Sequence, residues 1–175
     1  GLGGFALNEI TRAKEGEMIV NVVGKQWIWS VSYPEEDNIG SGELVLPVNR
    51  TTVRKMNAED VIHSFWVPEF RVKQDLVPGR ETTLRITPTE IGNYKLRCAE
   101  ICGLNHTLME ADVRVLDAAG YQAWVDEKQA VPAFADLTAE ERGAFWASAE
   151  GFGCVACHSA DGSPGVGPTW QGLYE

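Results

Sequence analysis

The sequence has no run of apolar residues close to the roughly 18 that a membrane-spanning helix needs. Its first residues, Gly1 to Phe5, also lack the basic start of a signal peptide. We therefore expect the chain as given to be soluble. Its start without methionine suggests a processed product or an excised piece.

Positive charge is scarce as well. The 15 lysines and arginines face 25 aspartates and glutamates, which gives a formal net charge of -10. Because nucleic-acid binding depends on cations that neutralise phosphates, this balance excludes general nucleic-acid binding and favours basic partners. Apolar residues at 44% and charged residues at 23% are typical of a globular protein, so a disordered or fibrous chain is excluded too.

Cysteine and histidine are rare, with four cysteines and three histidines in the chain. All but His63 fall into two clusters, one at residues 98–106 and one at 154–158. Four cysteines would permit two disulfides with three connectivities. The histidines that accompany both cysteine pairs argue instead for metal or cofactor binding.

Alternating apolar and polar residues over the first two thirds of the chain predict a β-rich domain. In one predicted strand, the side chains at 27, 29, 31 and 33 share a face, and Pro34 ends the strand. Short strands separated by Gly and Pro predict an antiparallel sandwich. The predicted strands are 18–23, 26–33, 43–46, a segment around Val53, 82–87, 94–98 and 111–115.

The pattern changes to helical spacing after Leu116. A short helix is indicated by Tyr121, Trp124 and Val125. Thr138-x-x-Glu141 is a capping box that opens a second helix, with apolar positions at Phe145, Trp146 and Ala149. We therefore expect a β domain at 1–125, a linker at 126–137 and a helical module at 138–175.

The first cluster has the pattern C-x-x-x-C-x-x-x-H-x-x-M and lies between two predicted strands: Cys98, Cys102, His106 and Met109. Thiolates, imidazole and thioether are soft ligands that suit copper better than hard cations. One cysteine would make a mononuclear site, whereas two can bridge two copper ions. Each ion then needs its own imidazole, and His63 is the candidate for the second.

Two alternatives stay open for the same residues. A structural zinc ion could be held by both cysteines and both histidines, although Met109 would then be unexplained. A disulfide between Cys98 and Cys102 is the other alternative. Both would leave the chain without a redox function and without colour.

The cysteine loop resembles that of subunit II of haem-copper cytochrome c oxidases. The resemblance extends over residues 17–125 and includes the segments Gln26-Trp-Ile-Trp-Ser30, 60–68 and Val77-Pro-Gly-Arg80. It implies a mainly β fold, a cupredoxin-like Greek-key sandwich, with a binuclear CuA copper centre that accepts electrons from cytochrome c. It also implies a complete ligand set: bridging Cys98 and Cys102, His63 and Met109 on one copper, and His106 with the Glu100 carbonyl on the other.

Two further residues gain roles from the resemblance. Glu100 stands where nitrous oxide reductases, which share the dicopper loop, place a tryptophan, and in oxidases this carboxylate helps bind magnesium at the contact with subunit I. Trp27 matches the aromatic residue through which oxidases receive electrons. Without the resemblance, the interpretation of Glu100 is a solvated acid in a loop, and that of Trp27 is a residue that packs in the fold.

The second cluster, Cys154-Val-Ala-Cys157-His158, has the C-x-x-C-H pattern of c-type haem attachment. The two thiols would form thioethers to the haem, and His158 would be the proximal iron ligand. The segment 165–172 also resembles a small cytochrome c. Because the last methionine is Met109, no methionine follows to serve as second axial ligand. We therefore expect a cytochrome module that is cut short, and haem-free or completed by a neighbour.

Together the two modules resemble the fused subunit II of caa-type oxidases. This implies electron flow from cytochrome c through haem c and CuA to haem a of subunit I, in an oxygen-reducing, proton-translocating complex. It also implies a location on the outer, periplasmic face of the membrane, with attachment through N-terminal helices absent from this sequence. The chain itself makes no substrate bonds. Alternatives are a CuA-dependent nitric oxide reductase and a copper-delivery protein, which would lose its metal to a chelator.

Overall fold

The computed structural model describes residues 1–13, 15–130, 136–148 and 154–172, without the side chains of Glu9, Ile10 and Ala156. The chain divides into two compact units, residues 1–129 and 130–175. The first unit begins with helix α1 (Leu2–Thr11) and ends with helix α2 (Ala118–Gln129). Helix α2 therefore continues four residues into the segment predicted as linker.

Ten strands between these helices form two five-stranded sheets. The first has the order β3 (Ile39–Ser41), β2 (Ile28–Tyr33), β1 (Met18–Lys25), β5 (Thr52–Ala58) and β8 (Thr82–Ile86). The second has the order β4 (Leu44–Pro47), β10 (Glu110–Leu116), β9 (Gly92–Cys98), β6 (His63–Val67) and β7 (Val72–Leu76). This mainly β sandwich confirms the predicted fold class.

The predicted antiparallel pairing holds for most of the strand pairs but not for all. Strand β1 pairs in parallel with β5, and β4 pairs in parallel with β10, while the remaining pairs are antiparallel. The reason is physical: side chains alternate between the two faces of a strand in either direction, so the alternation cannot reveal the direction of pairing. The β1–β5 pairing brings the β1–β2 turn close to the segment that precedes β6.

The core lies between the two sheets and reflects the alternation of the strands. In β1 every second residue from Met18 to Gly24 is buried, and in β2 the buried residues are Trp29, Val31 and Tyr33. The predicted helix around Tyr121, Trp124 and Val125 is present as α2, and these three side chains are its buried ones. The Trp124 ring meets the Tyr33 ring edge-on, with centroids 4.8 Å apart.

Three strands and one helix were not predicted. Strand β6 is buried at four of its five residues, so it shows no alternation. Strand β7 carries Lys, Gln and Asp in its centre, and β3 is only three residues long, between the predicted strands 26–33 and 43–46. Helix α1 contains two glycines, which disfavour helices. Among the described residues, no helix has the length and apolarity to cross a bilayer.

The second unit contains helix α3 (Ala139–Ala147), which starts at the predicted capping box. The Glu141 N–H donates to the Thr138 hydroxyl, and the Thr138 N–H donates to the Glu141 carboxylate. The apolar positions Phe145 and Trp146 lie on this helix, where they are 39% and 42% exposed. Helix α3 buries no residue, so its apolar side chains meet each other edge-on instead. Ala149 lies outside the described residues.

The first prediction concerns Tyr33, whose buried hydroxyl accepts a hydrogen bond from the buried Val45 N–H at 2.6 Å and so joins the two sheets. Tyr33→Phe would leave this N–H without an acceptor, and the free energy of unfolding should fall by about 1–3 kcal/mol in urea titrations. The control is Tyr94→Phe, because the Tyr94 hydroxyl bonds the Glu90 carbonyl at an exposed position. Equal losses for the two variants would contradict the prediction.

Candidate metal centre

The cysteine loop connects β9 to β10 at one end of the sandwich. Strand β9 ends at Cys98, and β10 begins directly after Met109. The Cys98 N–H donates to the Met109 carbonyl at 3.1 Å, which closes the loop at its base. The Ala99 N–H donates to the Ser64 carbonyl at 3.0 Å and fastens the loop to β6. These backbone bonds bring the loop beside His63, the first residue of β6.

Two thiols and two imidazoles meet in this place. The Sγ atoms of Cys98 and Cys102 are 3.7 Å apart. The Cys98 sulfur lies 3.9 Å from His63 Nδ1, and the Cys102 sulfur lies 3.5 Å from His106 Nδ1. A disulfide requires sulfurs about 2.05 Å apart, so both cysteines are free thiols in this structure.

Two more donor atoms adjoin the thiols. The thioether sulfur of Met109 is 3.8 Å from Cys102 Sγ, and the Met109 side chain is fully buried. The backbone carbonyl of Glu100 is 3.2 Å from Cys98 Sγ, whereas the Glu100 residue as a whole is exposed. The structure therefore brings together all the residues predicted for the copper site: His63, Cys98, Glu100, Cys102, His106 and Met109.

The donor positions suit two ions better than one. Among the described residues, the ligand atoms of His63, Cys98 and Cys102 lie within 4.8 Å of one another, and His106 is not part of this group. A single tetrahedral zinc ion would need all four donors around one point. Here each imidazole lies next to a different cysteine sulfur, and the methionine thioether provides one more donor atom. This soft donor set fits a pair of copper ions bridged by the two thiols.

The His63 ring is enclosed on several sides. The Trp29 ring meets it edge-on with centroids 6.2 Å apart, and Trp29 Nε1–H donates to the Met109 carbonyl at 3.3 Å. A Cβ atom at Gly24 would lie 3.1 Å from the ring, so a side chain there would crowd it. Both His63 and Trp29 are almost fully buried. Such an apolar shell limits water access to a bound metal.

Asp60 orients the His63 ring and was not singled out from the sequence. Its Oδ1 lies 2.8 Å from His63 Nε2, so that Nδ1 faces Cys98. Burial alone would raise the pKa of Asp60, but hydrogen bonds from the Gln26 N–H and from His63 outweigh this effect and hold the pKa below its ordinary value. The sequence offered one signal for this role, an acid three residues before the histidine that it orients.

The two thiols differ in acidity because they share one buried site. Burial opposes ionisation of Cys98, but the contact with His63 outweighs it and lowers the pKa of Cys98. Burial and the neighbouring Cys98 raise the pKa of Cys102. A metal that binds both sulfurs must therefore displace the proton of the less acidic thiol, that of Cys102.

Trp27 lies in the turn between β1 and β2 and is half-buried. Its Nε1–H donates to the Cys102 carbonyl at 3.2 Å. The indole thus reaches from the partly solvated turn to the backbone of a thiol ligand. Trp29, two residues further on, is a core residue, so the two tryptophans of the motif have different surroundings.

The second cluster lies in the second unit. Cys154, Cys157 and His158 are half-buried, and the N–H groups of Cys157 and His158 both donate to the Cys154 carbonyl, at 3.1 and 3.0 Å. His158 Nδ1 is 2.8 Å from the Pro168 carbonyl, and the Trp170 ring stacks on the imidazole. An Nδ1–H donated to a carbonyl leaves Nε2 as the ligand nitrogen. These residues therefore fit attachment of a c-type haem.

The chain is similar to known proteins in sequence. The family described as cytochrome c oxidase subunit II, periplasmic domain, matches residues 40–116. A cytochrome c oxidase subunit 2 from Thermostichus vulcanus is 40% identical over 128 residues, which cover 73% of this chain and 38% of the relative. Another from Alkalihalophilus pseudofirmus is 30% identical over 162 residues, which cover 92% of this chain and 47% of the relative.

The chain is also similar to a solved structure, the periplasmic domain of subunit II of cytochrome oxidase from Bradyrhizobium japonicum. The TM-score is 0.64 with 28% identity, and the match covers 67% of this chain and 97% of that domain. This match confirms the cupredoxin-like sandwich. The chain spans less than half the length of the two sequence relatives.

The second prediction concerns Asp60. Asp60→Asn should release the His63 ring from its fixed orientation and weaken copper binding by about 10- to 100-fold, since residues that orient metal ligands carry effects of this size. Competition with a chelator of known affinity measures the change. The matched control is Asp112→Asn, an exposed acid that pairs with Lys95 on β9. If both variants bind copper as tightly as the wild type, Asp60 does not orient the ligand.

Proposed function

This chain belongs to the family of cytochrome c oxidase subunit II, and we propose that it is the subunit through which electrons enter a haem-copper terminal oxidase. In this role it accepts electrons from cytochrome c at a binuclear CuA centre and passes them to haem a of subunit I. One observation carries the proposal: two thiols 3.7 Å apart, each with its own imidazole within 3.9 Å, in a largely buried place.

When bound, the copper pair supplies one-electron chemistry in which the charge is shared over both ions. The chain's own residues supply a rigid frame for it. The bond between the Cys98 N–H and the Met109 carbonyl fixes the ends of the loop, and Trp29 holds His63 and Met109 from the core side. These contacts limit how far the ligands can move when an electron arrives or leaves.

The surface beside the centre supports contact with protein partners. Six exposed apolar side chains occur in the two segments that carry the ligands: Val61, Ile62, Trp66, Ile101, Leu104 and Leu108. Large apolar side chains that stay exposed near a functional site are candidates for contact with a partner. We assign this surface to subunit I, with the exposed Glu100 carboxylate available for magnesium at the contact. The net charge of -10 suits a basic donor such as cytochrome c.

We further propose that residues 138–175 are part of a cytochrome c domain that a short linker joins to the copper domain, whose last helix α2 ends at Gln129. Cys154 and Cys157 would bind haem c covalently, and His158 would hold its iron through Nε2. The bond from His158 to the Pro168 carbonyl supports this assignment. Tethering the haem raises the effective concentration of the electron donor, so delivery need not await diffusional docking.

The family match also supports a location. The matched domain is the periplasmic one, so we place this chain on the outer face of the membrane. Oxygen reduction and proton translocation would belong to the assembled complex, with subunit I holding the site of oxygen chemistry. Residues of this chain position the metals and contact the partners.

The third prediction tests the copper pair itself. Cys98→Ser removes one bridging sulfur and should abolish both the visible absorption and the paramagnetic signal of a shared electron. Cys154→Ser is the matched control, since it lies in the other unit and should leave the copper signal intact while removing one haem thioether. A shared-electron signal that survives in Cys98→Ser would show that Cys98 is not a bridging ligand.

The fourth prediction tests the route of electrons into the chain. Trp27→Phe removes the N–H that contacts the Cys102 carbonyl. Reduction by cytochrome c in stopped flow should become several-fold slower, with unchanged copper absorption. Trp66→Phe is the control, an exposed tryptophan on β6. Wild-type rates in Trp27→Phe would reject electron transfer through this indole.

A further inference from the structure

Gln26 contacts both segments that carry the metal ligands. It lies at an exposed position in the turn between β1 and β2, next to Trp27. Its side-chain Nε2–H donates to the Cys102 carbonyl at 2.7 Å. Its backbone N–H donates to Asp60 Oδ2, also at 2.7 Å. Gln26 therefore binds both the cysteine loop and the segment before β6.

The Asp60 contact continues to a metal ligand. While Oδ2 accepts from Gln26, Oδ1 lies 2.8 Å from His63 Nε2. A chain of hydrogen bonds thus runs from the Cys102 backbone through both polar groups of Gln26 to the His63 ring. These two ligands come from separate parts of the sequence, and Gln26 binds the segment of one through its side chain and the segment of the other through its backbone N–H.

The loop is shaped to receive the Gln26 side chain. Gly103 follows Cys102 with a φ of +117°, which L side chains rarely adopt. A Cβ at Gly103 would lie 2.9 Å from Gln26 Nε2 and 3.2 Å from the Trp27 ring. The glycine therefore permits both donors to approach the same carbonyl.

We propose that Gln26 is a positioning residue that fixes Cys102 relative to His63 by binding both of their segments. The expected effect on retention of the metal pair rests on the proposed copper centre. The positioning of Cys102 by hydrogen bonds does not depend on it. Loss of the Nε2–H should let the Cys102 end of the loop open more often, while the fold and the His63–Asp60 contact remain.

Two variants separate hydrogen bonding from packing. Gln26→Leu removes the donor, and Gln26→Glu keeps the shape of the side chain but replaces the N–H by an oxygen that cannot donate to the Cys102 carbonyl. If Gln26 acted through packing, Gln26→Glu would behave as the wild type. The matched control is Gln122→Leu, since the Gln122 side chain donates to Asp126 on the exposed face of α2.

The first measurement uses the full metal-free chain and iodoacetamide, with alkylation followed at each cysteine by mass spectrometry. Both Gln26 variants should alkylate Cys102 roughly three- to tenfold faster than the wild type, the range expected for one hydrogen bond. Alkylation of Cys154 should be unchanged and serves as an internal control, as does an unchanged thermal midpoint. Wild-type rates at Cys102 in both variants would overturn the proposal.

The second measurement uses the copper-loaded chain. Loss of copper to a chelator should be faster by a similar factor in both Gln26 variants and unchanged in Gln122→Leu. If the wild-type chain takes up no copper pair, the proposed function fails, but the alkylation rates still decide the role of Gln26. If copper is retained equally by all variants and alkylation is unchanged, the positioning role fails while the copper centre stands.

Discussion

Two buried thiols held 3.7 Å apart are the feature on which the rest of the structure depends. Polar, ionisable groups are costly to bury unless they have partners, and here the partners come from two separate parts of the chain. His63 on β6 adjoins one thiol, while His106 and Met109 of the cysteine loop adjoin the other. The sandwich brings these groups together because it places the cysteine loop beside the first residue of β6.

Much of this arrangement could be predicted from the sequence because it depends on local pattern. The spacing of Cys98, Cys102, His106 and Met109 places four soft donors in one loop, whatever the rest of the fold. Scarcity identified His63, since no other histidine remained outside the clusters. The alternation of β1 and the spacing of Tyr121, Trp124 and Val125 report burial on one face, which the structure bears out.

The contacts that hold the ligands could not be predicted, because they depend on which strands are neighbours. Gly24 leaves room for the His63 ring, and Gln26 binds Asp60, because β1 runs parallel to β5 and ends beside the segment before β6. The alternation of apolar and polar residues does not encode whether two strands pair in parallel or antiparallel. Strand β6 was not predicted because four of its five residues are buried, so it lacks the alternation that indicates a strand. The exposure of Phe145 and Trp146 could not be predicted because helical spacing identifies an apolar face without showing how far that face is buried.

Metal analysis combined with paramagnetic resonance of the chain reconstituted with copper decides whether two thiolates of this chain hold a pair of copper ions. We expect two copper ions in each chain and one unpaired electron shared equally by both. A single zinc ion, a single copper with a localised electron, or a colourless chain that binds neither would contradict it.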